Sequence, residues 1–312
     1  MDPAETPLLA IFGPTAVGKT ALAVAIADRL RARGERPVAV SADALALYRG
    51  IEIVTGAPTA EEQERLEHRL VSILDVTESC SAGRYAQLAH AEIDGLRAEG
   101  ATPIVVGGTG LYLRAAVADL DLRPPPDPAH RARWTARLRA DGPEALHREL
   151  AARDADAAAR IDPRDAQRLV RAHELLDAGA ALPAGEDRDE LWTTATRHPT
   201  RMIALTRDRQ ELYARIDARV DAMVAAGAEA QVRAAEAAGA SETARVAVGF
   251  RELLDGDVEA MKTRTRRLAK RQLTWLRRLE GVEHLDVTST TPAQAAARLL
   301  PDAAPLAAPD AP

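Results

Sequence analysis

Apolar positions in the first part of the chain alternate between two rhythms. Leu8-Leu9-Ala10-Ile11-Phe12 is an unbroken apolar run of strand length, and Ala21–Leu30 behind it carries its apolar residues at helical spacing. Pro37-Val-Ala-Val-Ser-Ala-Asp43 predicts a second buried strand, this one ending on an acid. Residues 44–60, with Gly50, Gly56 and Pro58, read as a loop, followed by a helix over about 60–68 and a strand from Arg69 to Leu74. Leu88, Ile93 and Leu96 set a helical stripe over Tyr85–Glu99 that stops at Gly100, and Pro103–Val106 is again a short buried strand. Unbroken apolar strands alternating with helices predict an α/β fold with a doubly wound parallel sheet, because only strands covered on both faces carry no polar side.

The pattern changes at Arg123-Pro-Pro-Pro-Asp-Pro128, which reads as a stiff connector. Beyond it lie four helical stretches, 129–140, 142–153, 154–160 and 164–178. Leu138, Leu146, Leu150, Ile161, Leu169, Leu175 and Leu176 supply a small core of their own, and 183–200 is polar and loop-like. Met202–Thr206 returns as a strand, and 208–226, 228–238 and 257–279 read as helices. The predicted organisation is a core over 1–122 and 201–300, a helical insertion over 123–200, and a low-complexity disordered tail over 301–312.

Composition adds little to this outline. The 312 residues are 46% hydrophobic and 28% charged, ordinary for a globular protein with a real core. One cysteine, Cys80, excludes a disulfide framework or a cysteine zinc site within the chain and fits a reducing, cytoplasmic setting. The first residues lack a basic segment followed by an apolar one, and no run of about 18 apolar residues predicts a membrane span. The histidines show no metal spacing, and His68 and His147 read as packing or surface residues. The net charge of −6 argues weakly against a nucleic-acid partner. Its distribution argues the other way, because residues 262–278 carry eight Lys and Arg and no acid.

The sharpest chemistry lies between the first strand and the first helix. Gly13-Pro14-Thr15-Ala16-Val17-Gly18-Lys19-Thr20 is the P-loop pattern in its strand-loop-helix setting, so the expected fold is P-loop NTPase-like, as in ATP-binding proteins. Loop amides and a helix N-terminus face a di- or triphosphate, Lys19 adds a cation, and the Thr20 hydroxyl can hold Mg²⁺. Asp43, at the end of the second strand, is placed to orient or deprotonate an acceptor group; alone it would read as a turn former. Gly107-Gly-Thr109-Gly110 follows a strand where a hydrolytic P-loop enzyme presents an acid. A glycine-and-hydroxyl turn there suggests a phosphate or leaving-group contact through Thr109. Three basic clusters, 131–139, 164–171 and 262–278, are candidates for phosphate-backbone binding. Gln167, Arg168 and Arg171 fall within one helical turn.

Together with Ser41-Ala-Asp43, Tyr48-Arg-Gly50, Val106-Gly-Gly-Thr-Gly-Leu-Tyr112, Asp165-Ala-Gln-Arg-Leu-Val-Arg171, Val248-Gly-Phe-Arg-Glu252 and Lys270-Arg-Gln-Leu-Thr-Trp275, the P-loop makes an ordered set that resembles the tRNA dimethylallyltransferases from about residue 8 to 280. The resemblance implies transfer of a dimethylallyl group from dimethylallyl diphosphate to N6 of adenosine 37 in tRNAs that read codons beginning with U. It implies that residues 13–20 bind the diphosphate leaving group with Mg²⁺ on Thr20, and that Lys19, Asp43 and Thr109 are catalytic. By motif match, Asp43, Ala44, Leu45, Ala46, Thr109, Arg131, Gln167, Arg168, Leu169, Val170 and Arg171 contact the tRNA anticodon stem-loop, and Arg267, Lys270 and Arg271 contact its phosphates. It also implies a monomer. The chain departs from the family pattern in having Ala44 after the aspartate, Val54-Thr-Gly-Ala-Pro58 without a lysine, His68-Arg69, and Arg164-Asp165. Three other readings compete: an adenylate isopentenyltransferase, which has no need of the insertion or the basic helix; a small-molecule kinase, which consumes ATP; and a non-catalytic RNA-binding protein with a relic P-loop.

Overall fold

The computed structural model describes residues 7–120, 122, 127–182 and 191–301. Two compact units emerge: one formed by residues 1–119 with 196–312, the other by 120–195. The first unit begins with β1 (Leu8–Phe12), α1 (Lys19–Arg31), β2 (Arg36–Ala42), α2 (Glu52–Thr55), α3 (Ala60–Arg65), β3 (His68–Arg69), α4 (Ala82–Ala98), β4 (Ala101–Gly107) and α5 (Gly110–Val117). The second unit holds α6 (Pro128–Asp141), α7 (Pro143–Arg153), α8 (Ala155–Arg160) and α9 (Ala166–Asp177). The chain then returns to the first unit as β5 (Thr200–Thr206), α10 (Arg209–Ala225), α11 (Ala228–Ala237), α12 (Glu242–Arg245), α13 (Phe250–Leu254), α14 (Val258–Leu276), β6 (Val282–Asp286) and α15 (Pro292–Leu299).

The six strands form one parallel sheet in the order β3-β2-β4-β1-β5-β6. The crossover through α1 runs one way along this order and the crossover through α4 runs the other. Right-handed connections therefore place the two helices on opposite faces of the sheet. Every residue of β1 is buried, as its unbroken apolar run requires.

The sheet corrects two expectations. The strand expected over 69–74 is cut to His68–Arg69, because Leu70 (φ 58°) and Ser72 (φ 50°) take left-handed backbone that no strand accommodates. The loop expected over 44–60 contains the short helix α2. Five elements have no reading in the sequence: α5, α12, α13, β6 and α15. Only Leu285 of β6 is buried, so this edge strand has no apolar pattern to read. The connector at 123–126 and the tail from residue 302 lie outside the described residues.

The second unit folds around Trp134, Leu146, Leu150, Ala158, Leu169, Val170 and Ala172. Trp134 stacks on His173 with ring centroids 4.0 Å apart. His173 Nε2 meets the Leu146 carbonyl at 3.0 Å, and burial holds its pKa below the ordinary histidine value, so it packs as a neutral ring.

Gly107 marks a close approach within the sheet. A Cβ there would lie 2.3 Å from the Ala42 carbonyl oxygen, a backbone atom that cannot step aside. Gly107→Ala is expected to destabilise the fold by about 1–3 kcal/mol, read as a lower midpoint in urea with an unchanged slope.

Candidate active site

Strand register assembles the site. Phe12 pairs with Gly107 and Ala204, and Ala42 pairs with Gly107. The residues that follow at the carboxyl edge are therefore neighbours: Gly13 after β1, Asp43 after β2, Gly108 after β4 and Arg207 just beyond β5. This is where an open parallel sheet offers its ligand crevice.

The P-loop holds its shape by itself and by supports from afar. Gly18 sits at φ 111° and Ala16 at φ 63°, both left-handed. Lys19 Nζ donates to the carbonyls of Gly13 at 3.0 Å and Pro14 at 2.9 Å. The Ala16 carbonyl accepts from Arg215 Nε at 2.9 Å, and the Val17 carbonyl accepts from Arg207 at 3.3 Å. The Thr15 N–H donates to Oε1 of Gln272 on α14 at 2.9 Å.

Burial, with the Arg219 guanidinium second, lowers the Lys19 pKa to about 8, while Asp43 opposes the shift. Arg219 on α10 donates to the Gly56 carbonyl at 3.0 Å, and its own pKa is lowered by burial against a favourable Asp43. Lys19, Arg219 and Asp43 thus share one electrostatic site with two cations, suited to an anion beside a carboxylate. Between about pH 8 and 10.5 the unfolded chain holds more proton on Lys19 than the folded one, so this group makes stability rise with pH in that window.

Asp43 Oδ1 accepts the Leu45 N–H at 3.0 Å, an Asx turn, and Oδ2 has no hydrogen bond among the described residues. The turn reading and the functional reading therefore coexist on different oxygens. Thr109 caps α5 without using its hydroxyl, and the Thr20 hydroxyl is likewise unspent. Among the described residues no group of three His, Cys, Asp or Glu gathers to hold a metal. The Thr20 hydroxyl offers one oxygen ligand of the kind taken by a cation carried on phosphate oxygens, such as Mg²⁺.

The glycines of the 107–110 turn have a further use. A Cβ on Gly108 would lie 2.5 Å from Gln272 Nε2, and one on Gly110 would lie 2.0 Å from the Trp275 ring. The turn is a seat for α14, whose side chains three apart dock there.

Of the eight cations in 262–278, Lys262 pairs with Asp221, Arg264 with Glu252 and Arg266 with Asp217, at 2.7–2.8 Å. Arg267, Lys270, Arg271 and Arg277 are exposed and meet no carboxylate among the described residues. In the second unit, Gln167 and Arg168 are exposed, Arg168 pairs with Asp165, and Arg131 and Arg171 both pair with the buried Glu174. Leu169 and Val170 are corrected: 0% and 3% exposed, they belong to the core of this unit and offer nothing to a nucleic acid. Ala46, 5% exposed, is also buried, with its carbonyl held by the Ser72 N–H, whereas Ala44 and Leu45 are half-buried.

Sequence reasoning misses Arg207, Arg215 and Arg219, and it meets Gln272 only as a member of the Lys270–Trp275 run. The repeat of Arg215 and Arg219 four apart on an amphipathic helix was a signal, though one shared with any solvated helix face.

The IPP transferase family model matches residues 46–279, a span that includes neither the P-loop nor Asp43. The chain belongs to this family. It is 41% identical over 290 residues to the tRNA dimethylallyltransferase of Kineococcus radiotolerans, covering 89% of this chain and 90% of that one. Among solved structures it resembles the full-length tRNA isopentenylpyrophosphate transferase of Bacillus halodurans, with 34% identity, 94% coverage of both chains and a TM-score of 0.67. It also resembles the tRNA delta(2)-isopentenylpyrophosphate transferase of Staphylococcus epidermidis, with 28% identity, 94% and 97% coverage and a TM-score of 0.65. These likenesses carry the P-loop NTPase-like fold as well as the family.

Proposed function

We propose that this protein is a tRNA dimethylallyltransferase, joining C1 of dimethylallyl diphosphate to N6 of adenosine 37 in tRNAs reading codons that begin with U. The observation that carries this reading is the convergence of a phosphate-binding loop and a carboxylate with a spare oxygen on one sheet edge. The family likeness supports this choice of substrates.

The bond from C1 to the bridging oxygen breaks and the N6–C1 bond forms. Diphosphate leaves into the P-loop, where Lys19 and Arg219 meet the charge that grows on it. The Thr109 hydroxyl donates to the leaving group. The N6 proton passes to the free oxygen of Asp43, which makes a weakly nucleophilic exocyclic amine reactive. Thr20 would hold Mg²⁺, which supplies Lewis-acid neutralisation of the diphosphate. Adenosine 37 must leave its stack to reach Asp43, beside Ala44 and Leu45. Arg267, Lys270, Arg271, Arg131, Gln167, Arg168 and Arg171 bind the anticodon stem-loop. The protein acts as a cytoplasmic monomer, and no described helix is long and apolar enough to cross a membrane.

The test is label transfer from dimethylallyl diphosphate, without ATP, to an A36-A37-A38 anticodon stem-loop, the same loop with G at 37, and free AMP. Label on the first alone supports the reading. Label on AMP moves the protein to the adenylate branch, and no label on any acceptor removes the transferase reading.

Lys19 gives this site a pH signature. Above about pH 8 the free protein carries a neutral Lys19, so binding diphosphate takes up a proton. Affinity is expected to fall with a limiting slope of about tenfold per pH unit beyond that point. Lys19→Arg, which stays charged, should lack this slope in parallel calorimetric titrations.

A further inference from the structure

The two ends of the P-loop differ in what they leave available. At the helix end, the amides of Gly18, Lys19 and Thr20 meet no protein acceptor among the described residues. At the strand end, the Thr15 N–H is already spent on Gln272 Oε1 at 2.9 Å. The backbone donor fixes which end of the carboxamide is oxygen. Gln272 is 7% exposed, so this bond is sheltered from water.

The carboxamide also fills space. A Cβ built on Gly108 would lie 2.5 Å from Gln272 Nε2 and 3.3 Å from Lys19 Nζ, so both side chains close on the space that this bare Cα leaves open. P-loops that hold triphosphates spread their amides and lysine over adjacent phosphoryl groups. Here one donor is consumed and the space next to the lysine is occupied by a neutral side chain from α14.

We propose that Gln272 restricts this P-loop to diphosphates, taking both the donor and the space that a third phosphoryl group would use. The inference rests on the diphosphate reading given above. It makes Gln272 a specificity-determining residue, anchored by the neighbouring docking of Trp275 on Gly110. It also accounts for a loop of ATP-binding type in an enzyme that has no use for ATP.

Calorimetric titration of the full chain with inorganic diphosphate and tripolyphosphate, at matched Mg²⁺, tests it. The unmodified protein is expected to prefer diphosphate by about tenfold or more, the worth of one sheltered bond to an anion. Gln272→Ala should bring the ratio towards one, mainly by gaining tripolyphosphate affinity. Gln272→Glu keeps an acceptor for Thr15 and should weaken both anions while keeping the preference. If Gln272→Ala lacks a native near-ultraviolet dichroism spectrum, Gln272→Asn is held to the same ratio, since it is too short to reach Thr15. An unmodified protein that binds both anions equally, or a Gln272→Ala ratio that stays unchanged, overturns the inference and leaves the transferase reading standing. A protein that binds neither anion overturns the diphosphate reading and this inference with it.

Discussion

Asp43→Ala is expected to lower kcat for N6 transfer by about a thousandfold, within the range that positioned general bases supply, while tRNA binding changes by less than about twofold. The expectation follows from the split use of the carboxylate. Oδ1 holds the Leu45 N–H and Oδ2 has no hydrogen bond among the described residues, so the side chain carries a reactive oxygen on a fixed mount. Asp43→Asn separates the two uses. Its carbonyl still accepts the Leu45 N–H and preserves the turn, but the amide cannot take a proton. Single-turnover rates on a labelled stem-loop, with binding measured separately, should find Asn nearly as slow as Ala. Near-normal turnover in the Asn variant would remove Asp43 from the proton step. Equal losses of rate and tRNA affinity would make it a shape residue of the loop.

Removing the exposed cations of α14 should act on binding and not on chemistry. Arg267→Ala, Lys270→Ala and Arg271→Ala together are expected to weaken stem-loop binding by about a hundredfold at low salt. They should also flatten the slope of log affinity against log salt by about two to three, close to one counterion per lost phosphate contact. Saturating turnover should stay within a few-fold. The matched control is Lys262, Arg264 and Arg266 on the same helix. Their charges are taken up by Asp221, Glu252 and Asp217, so their removal should shift the slope by less than about one. Equal effects from the two triples would show that α14 acts through its net charge and not through a presented face. No change from the first triple would move the tRNA surface off this helix.

The comparison of these triples shows what a charge run conceals. All eight cations of 262–278 look alike in the sequence, because a helical period groups residues by face without saying what each face meets. Carboxylates at positions 217, 221 and 252 neutralise three of them across distant parts of the chain.

Much of this protein is decided locally and was legible from its residues. The β1–loop–α1 unit is written in a buried apolar run, two glycines at fixed spacing and a helical stripe, each acting over a few residues. The helices of 128–177 are set the same way, α6, α8 and α9 by aspartate caps and α7 and α9 by leucine spacing. Asp43 could be placed at a strand end because the apolar run stops there. Tertiary structure decided which strand ends meet: β1, β2 and β4 are scattered in sequence, and only their register puts Gly13, Asp43 and Gly108 on one edge. It also brought Arg219 to Asp43 and Gln272 to Thr15, the latter pair 257 residues apart. It ended β3 at two residues, where left-handed backbone at Leu70 and Ser72 overrode an apolar run. Periodicity and turn chemistry are short-range properties of a chain. Which side chain arrives beside a loop amide depends on the packing of every element between them, and no local pattern encodes that.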